Sequence, residues 1–202
     1  MYPDIKLEYQ KPGISALDCV ISSTKSVISR GIVNPERVAI YGHSFGGYET
    51  NFIITRTDLF ATAISGGSIS DIITKYLTAN LNTGQPDMWR FGNRQWNMRK
   101  TPFEAPLIYQ NNSPIANVEK IKTPLLLWAG KEDKQVDRRQ SMEFYLALRR
   151  LGKKNIMLLY PEEGHVVSKK ANQIDLTNRI QQWFAYYLKE DHSAQWITDG
   201  VK

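Results

Sequence analysis

Apolar positions change their period along the chain, and the changes mark out elements. From 15 to 30, Leu17, Val20, Ile21, Thr24, Val27 and Ile28 recur at helical spacing, and Gly31 stops the run. Asn34-Pro35 makes a turn, and Val38-Ala39-Ile40-Tyr41 follows as a short buried strand. A Gly-rich turn then leads into a helix from about Gly47 to Arg56, and Phe60 to Ser65 predicts a second strand ending in Gly66-Gly67. Residues 68 to 113 are irregular, contain Trp89, Phe91 and Trp96, and are interrupted by Pro102 and Pro106. Leu125-Leu126-Leu127-Trp128 is a continuous apolar run of the kind a central parallel strand shows, because both of its faces are covered. An amphipathic helix over 138 to 151 (Met142, Tyr145, Leu146, Leu148) closes at Gly152. Ile156 to Tyr160 is a fourth strand, and a last helix over 169 to 189 carries Ile174, Ile180, Trp183, Phe184 and Tyr187 on its apolar side. This alternation predicts the α/β class, a parallel sheet with helices on both faces.

Composition narrows the picture. The 202 residues suit a single domain, and 42% apolar and 23% charged residues are ordinary for a globular protein. No apolar run approaches the roughly 18 to 20 residues of a membrane span, so no membrane partner is expected. Met1 to Gln10 includes Asp4 and Glu8 and has no apolar stretch, which is not a signal peptide; a cytoplasmic protein and a longer exported precursor both stay open. One cysteine, Cys19, excludes an internal disulfide and a Cys-rich metal site, and its place in an apolar helical pattern reads as a small core residue. The net charge is +6, but Arg149-Arg150, Lys153-Lys154 and Lys169-Lys170 lie on separate segments, which predicts a solvated surface and no nucleic-acid partner. No metal constellation, phosphate loop or cofactor fingerprint is present, so neither metal nor cofactor is expected.

Gly42-His43-Ser44-Phe45-Gly46 sits between a predicted strand and a predicted helix, which is the setting of a nucleophile elbow in an α/β-hydrolase fold. A serine hydroxyl attacks poorly until a base takes its proton, and the elbow exposes it for that purpose. Side chains at Gly42 and Gly46 are expected to collide with neighbouring elements in so tight a turn. The helix N-terminus adds positive potential, and the backbone N–H of Phe45 is the expected oxyanion donor. The base follows last in this fold's chain order. His43 adjoins the serine and should pack or bond locally, and His192 lies in a polar tail beyond the last helix. His165, in Pro161-Glu162-Glu163-Gly164-His165 directly after the fourth strand, opens at the same end of the sheet as Ser44. The acid that orients it is expected in Ala129-Gly130-Lys131-Glu132-Asp133. Asp137 suits a helix N-cap better. Asp133 is favoured, and the pattern alone leaves Glu132 open.

With those residues in place, the chain resembles the prolyl oligopeptidase family of serine peptidases. The resemblance rests on 31 to 48 around the elbow, on Ser113-Pro114-Ile115, on 121 to 127, and on Gly164-His165. The family pattern G-x-x-D-x-x-V matches Gly130, Asp133 and Val136, which separates Asp133 from Glu132. The resemblance implies one α/β-hydrolase catalytic domain over 1 to 202, with a Ser44, Asp133 and His165 triad acting on peptide substrates. The acylaminoacyl-peptidase and dipeptidyl-peptidase branches are most similar.

Departures from the family pattern carry further expectations. Its β-propeller and the first strands of its hydrolase domain have no counterpart here, 1 to 9 matching at most the end of one strand. The chain is therefore expected to be the C-terminal portion of a larger peptidase or a truncated relative. The missing part normally holds a second oxyanion donor, so weak or absent activity is expected. An exposed sheet edge is expected to favour homo-oligomers. Family aromatics that line the substrate pocket correspond to the region of Trp89 and Phe91, with core packing equally compatible, and Gln135 is placed near substrate polar atoms. A carboxylesterase or lipase on the same fold, and a purely binding fragment, are the competing readings.

Overall fold

The computed structural model describes residues 8–200. In chain order it contains α1 (Pro12–Ser29), β1 (Ala39–His43), α2 (Phe45–Ile54), β2 (Thr62–Gly66) and α3 (Ile72–Tyr76), then a two-residue antiparallel ladder of β3 (Ala79–Asn80) and β4 (Gln85–Pro86). After these come α4 (Pro106–Asn112), β5 (Leu125–Gly130), α5 (Arg139–Arg150), β6 (Asn155–Tyr160), α6 (Lys170–Lys189) and α7 (Trp196–Asp199). The main sheet is parallel throughout, in the order β1-β2-β5-β6. The stretch read as a strand remnant, 1 to 9, lies outside the described residues except for Glu8 and Tyr9.

The apolar run of β5 is continuous because it serves two layers. Leu125 and Leu127 pack with Ile54 of α2, Ala63 of β2, and Phe144 and Leu148 of α5. Leu126 and Trp128 pack on the other face with Ile64, Leu158, Leu176 and Trp183, the last two from α6. Fully burying one such large side chain contributes roughly 1.5–3 kcal/mol. Trp183 also satisfies its indole N–H, which donates to Thr62 Oγ1 at 2.6 Å. A third cluster of Tyr48, Ile69, Ile72, Phe91, Trp96, Met98, Tyr109 and Val136 forms where the irregular segment 68 to 113 folds over the start of α2.

The boundaries moved where special residues sit. β1 runs on through Gly42 and His43, paired to Ser65 and Gly66, and α2 starts at Phe45, immediately after the serine. α1 begins at Pro12, whose missing N–H suits the first helical turn. Cys19 corrects the core expectation: it is exposed. Only Pro12, Gly13, Ser15 and Ala16 of α1 are buried, so most of this helix runs along the surface and position 19 has no covering layer.

Candidate active site

β1 ends at His43 and the chain reverses at Ser44, which adopts φ 60 and ψ −120. A non-glycine residue with such a backbone is strained, and the strain is held by its surroundings. The Ser44 N–H donates to Gly66 O at 2.8 Å, fastening the elbow to β2. A Cβ on Gly42 would lie 2.0 Å from the Gly46 carbonyl oxygen, so this position tolerates no side chain. Gly46 departs from expectation, since a Cβ there meets nothing within 4 Å. The crowded partner is instead Gly47, where a Cβ would come 2.7 Å from Ser68 Cβ. Phe45 is the first residue of α2, so its N–H has no partner inside the helix and lies at the positive end of the helix dipole.

The loops after β5 and β6 are joined by backbone. The Lys131 N–H donates to Tyr160 O and the Glu132 N–H to Glu163 O, both at 2.8 Å. Gly130 permits this approach, because a Cβ there would lie 2.0 Å from Gly164 O. The pairing brings Asp133 and His165 together at the carboxyl end of the sheet. Asp133 Oδ1 accepts from the N–H groups of Gln135 at 2.8 Å and Val136 at 2.9 Å. Its Oδ2 lies 2.8 Å from His165 Nδ1, and its side chain is 1% exposed. Because a carboxylate only accepts, Nδ1 carries the proton and Nε2 offers its lone pair. Ser44 Oγ lies 2.8 Å from that Nε2 and donates to it. Glu132 is exposed, and the Asp137 side chain accepts from the Arg139 N–H at the start of α5.

Two further residues support this chain of bonds, His43, whose local packing the sequence led us to expect, and Glu163, which it did not single out. His43 packs locally, as expected of it, but the packing is against His165 itself: its Nε2 donates to His165 O at 2.8 Å, and its ring stacks on Trp128 at 5.0 Å. Burial, opposed by that hydrogen bond, lowers its pKa below 6.5. Glu163 is fully buried two residues before His165. Burial raises its pKa, but bonds from the Ser168 N–H, Asn172, the Lys169 N–H and the Ser168 hydroxyl outweigh it and hold the carboxyl at about 2. An acidic pair directly after a strand was the only available signal for Glu163. His192 meets the Tyr186 ring edge-on in the C-terminal segment, away from the serine.

A cavity of about 70 Å³ opens beside Ser44 and Phe45. Lys75, Arg90, Gln95, Trp96 and Gln135 stand on its wall. Of the three proposed substrate contacts, the structure brings only Gln135 there. Phe91 is buried in the cluster beneath, stacked on Trp96, and Trp89 is 54% exposed at the surface. Trp89 and Phe91 both lie on a short 3-10 turn, Asp87–Phe91, whose adjacent positions face different ways, which composition could not resolve. A larger cavity of about 670 Å³ lies between the start of α1 and α4 and contains none of these residues. Among the described residues no cluster of His, Cys, Asp and Glu is arranged to hold a metal, and no helix is long and apolar enough to cross a membrane.

A serine at a strained strand–helix elbow, bonded to a histidine that is bonded to a buried carboxylate, on a parallel sheet flanked by helices, places the chain in the α/β-hydrolase class. Within that class the chain belongs to the prolyl oligopeptidase family of serine peptidases, whose model matches residues 8–191. A relative from Bacillus subtilis, described as the uncharacterized peptidase YuxL, is 27% identical over 175 residues, covering 85% of this chain and 25% of that protein. A puromycin-hydrolyzing peptidase of Mycobacterium tuberculosis superimposes with a TM-score of 0.80 at 26% identity, covering 89% of this chain and 26% of the other. The acylaminoacyl peptidase of Pyrococcus horikoshii gives a TM-score of 0.82 at 24% identity, covering 96% and 31%, and shows the likeness of fold. The chain thus spans about a quarter to a third of the length of these three proteins.

Proposed function

We propose that this chain is the catalytic portion of a serine peptidase that cleaves oligopeptides through an acyl-enzyme. The observation that carries the reading is the unbroken Ser44–His165–Asp133 bonding, with both contacts at 2.8 Å. Ser44 Oγ attacks the scissile carbonyl while His165 Nε2 takes its proton. Asp133 holds the imidazolium, and the Phe45 N–H bonds the oxyanion. The C–N bond then breaks as His165 returns the proton to the leaving amine. Water, deprotonated by the same nitrogen, attacks the acyl-serine and restores Ser44.

Turnover by the 202 residues alone is slow in this reading. Phe45 is the one backbone donor we assign to the oxyanion, and lacking a second costs about 10²- to 10³-fold. A fluorophosphonate is expected to modify Ser44, with the adduct located by mass spectrometry and absent in Ser44→Ala. Asp133→Asn is expected to slow modification by about 10³- to 10⁴-fold through the wrong histidine tautomer. No adduct at Ser44 overturns the peptidase reading, and fast labelling with robust peptide turnover overturns the slow-turnover part. Comparing an alanyl anilide with a p-nitrophenyl ester separates peptidase from esterase.

A further inference from the structure

The cavity beside the nucleophile has an unusual charge inventory. Lys75 is 5% exposed, and its ammonium donates to Asp87 Oδ2 at 2.5 Å and to Gln135 O at 2.8 Å. Asp87 is 1% exposed. Arg90, one turn further, brings its Nε to 3.2 Å from Asp87 Oδ1, but neither atom is in a hydrogen bond. Among the described residues the Arg90 guanidinium makes no hydrogen bond; its side chain is 28% exposed, and its guanidinium carbon lies 5.2 Å from the centre of the Trp89 ring. Two cations therefore share one carboxylate, leaving a formal charge of +1 at the wall that Ser44 and Phe45 also line.

Burying charge is costly unless it is paired and bonded, and here one member of the set is incompletely paired. Arginine's planar fork suits a carboxylate in two-point contact. Gln95 and Gln135 add amide donors on the same wall, while Ile69, Val136 and Trp96 offer apolar surface to methylene groups. The volume of about 70 Å³ admits a short side chain and excludes a large aromatic one.

From this arrangement we infer that the cavity is the pocket for the residue on the acyl side of the scissile bond, and that it selects an acidic side chain, glutamate or aspartate, through Arg90 with Lys75 behind it. The inference rests on the serine-peptidase reading of Ser44 and names the substrate class of that site. Asp87 positions both cations and limits the net attraction to one charge. Glutamine in place of glutamate loses the charge-assisted bonds, which separates the two isosteres by about tenfold or more.

Peptidyl diphenyl phosphonates carrying Glu, Gln or Lys at the acyl-side position test this on the 202-residue chain. The readout is the second-order rate of adduct formation at Ser44. The Glu probe is expected to react at least about tenfold faster than the Gln probe, with Lys slowest. In Arg90→Gln the Glu-to-Gln ratio is expected to fall toward one, and in Arg90→Lys to recover part of its value; thermal unfolding confirms that each variant is folded. Equal or faster reaction of the Gln probe, or an unchanged ratio in Arg90→Gln, overturns the acidic pocket while leaving the nucleophile intact. If even a simple fluorophosphonate fails to modify Ser44, the peptidase reading falls and this proposal falls with it.

Discussion

His43 donates its Nε2 proton to the main-chain oxygen of His165, 2.8 Å away, so the residue before the serine grips the backbone of the residue that bonds the serine. The contact ties the elbow directly to the histidine loop. His43→Phe keeps a ring to stack on Trp128 and removes the donor. We expect it to slow fluorophosphonate modification of Ser44 by about five- to tenfold, the value of one such bond. His43→Gln, which keeps a donor and loses the ring, is expected to retain more. A Phe variant as fast as the unaltered chain would show that the bond merely fills space.

The same histidine gives an acid-side dependence of stability. Burial, against its bond to the His165 carbonyl, holds it below 6.5, so the folded state favours the neutral ring. The unfolded chain then binds more protons between about 6.5 and the lowered value, and stability is lost as pH falls through that window. Thermal unfolding from pH 8 to pH 5 should therefore drop more steeply for the unaltered chain than for His43→Phe.

Glu163 works lower on the pH scale and with the opposite charge. Its carboxyl is held at about 2 and anchors the histidine loop to the start of α6 through four donors. Because its folded value is depressed, its contribution is complete above about 4.5 and disappears as pH falls toward 2. Glu163→Gln is expected to destabilise by about 1.5–3 kcal/mol at pH 7, from the weaker bonds of an amide, and to flatten the loss of stability between those limits. Denaturant titrations at pH 7, 4 and 3 would show it; parallel curves for the two proteins would remove Glu163 from this role.

The elbow's glycines are not equivalent. Gly42→Ala forces a Cβ to 2.0 Å from a backbone oxygen, while Gly46→Ala enters open space. Gly42→Ala is expected to abolish Ser44 labelling or folding. Gly46→Ala is expected to fold with unchanged or slightly higher Tm, since alanine is favoured over glycine in a helix by up to about 1 kcal/mol. Circular dichroism melts with labelling on each variant decide between them, and loss of folding in Gly46→Ala would contradict the assignment of open space.

What the sequence made legible follows from where burial writes a pattern. β5 and β6 were readable as apolar runs, unbroken in β5 because both of its faces are covered, and Ser44, Asp133 and His165 could be placed together because each follows a strand of one parallel sheet. Periodicity told which face of α1 is apolar but not whether anything covers it, so Cys19 was misplaced. Lys75, Arg90 and Gln95 come from the irregular stretch 68 to 113, where packing around Phe91 and Trp96 rather than any period sets direction. That is also why Trp89 was taken for a pocket residue while its neighbour Arg90 was not.

The last prediction concerns β1. Among the described residues it pairs with β2 alone, so the outer edge of Ala39–His43 keeps unpaired backbone groups. Unlike a shielded edge, it adjoins apolar surface. A cavity of about 400 Å³ beside it is lined by Val27, Ile28, Val33, Val38 and Ala39, and Ile32 and Tyr41 are 74% and 48% exposed. An open edge flanked by apolar residues is a template for pairing with another chain, and an edge lysine is the usual deterrent. We therefore expect the 202-residue chain to self-associate at tens of micromolar, giving a mass above the monomer by light scattering. Tyr41→Lys should shift it toward monomer without lowering Ser44 labelling, since Tyr41 takes no part in the Ser44–His165–Asp133 hydrogen bonds and does not line the cavity beside Ser44. A monomeric mass for the unaltered chain across that range would mean that the edge is covered in some other way.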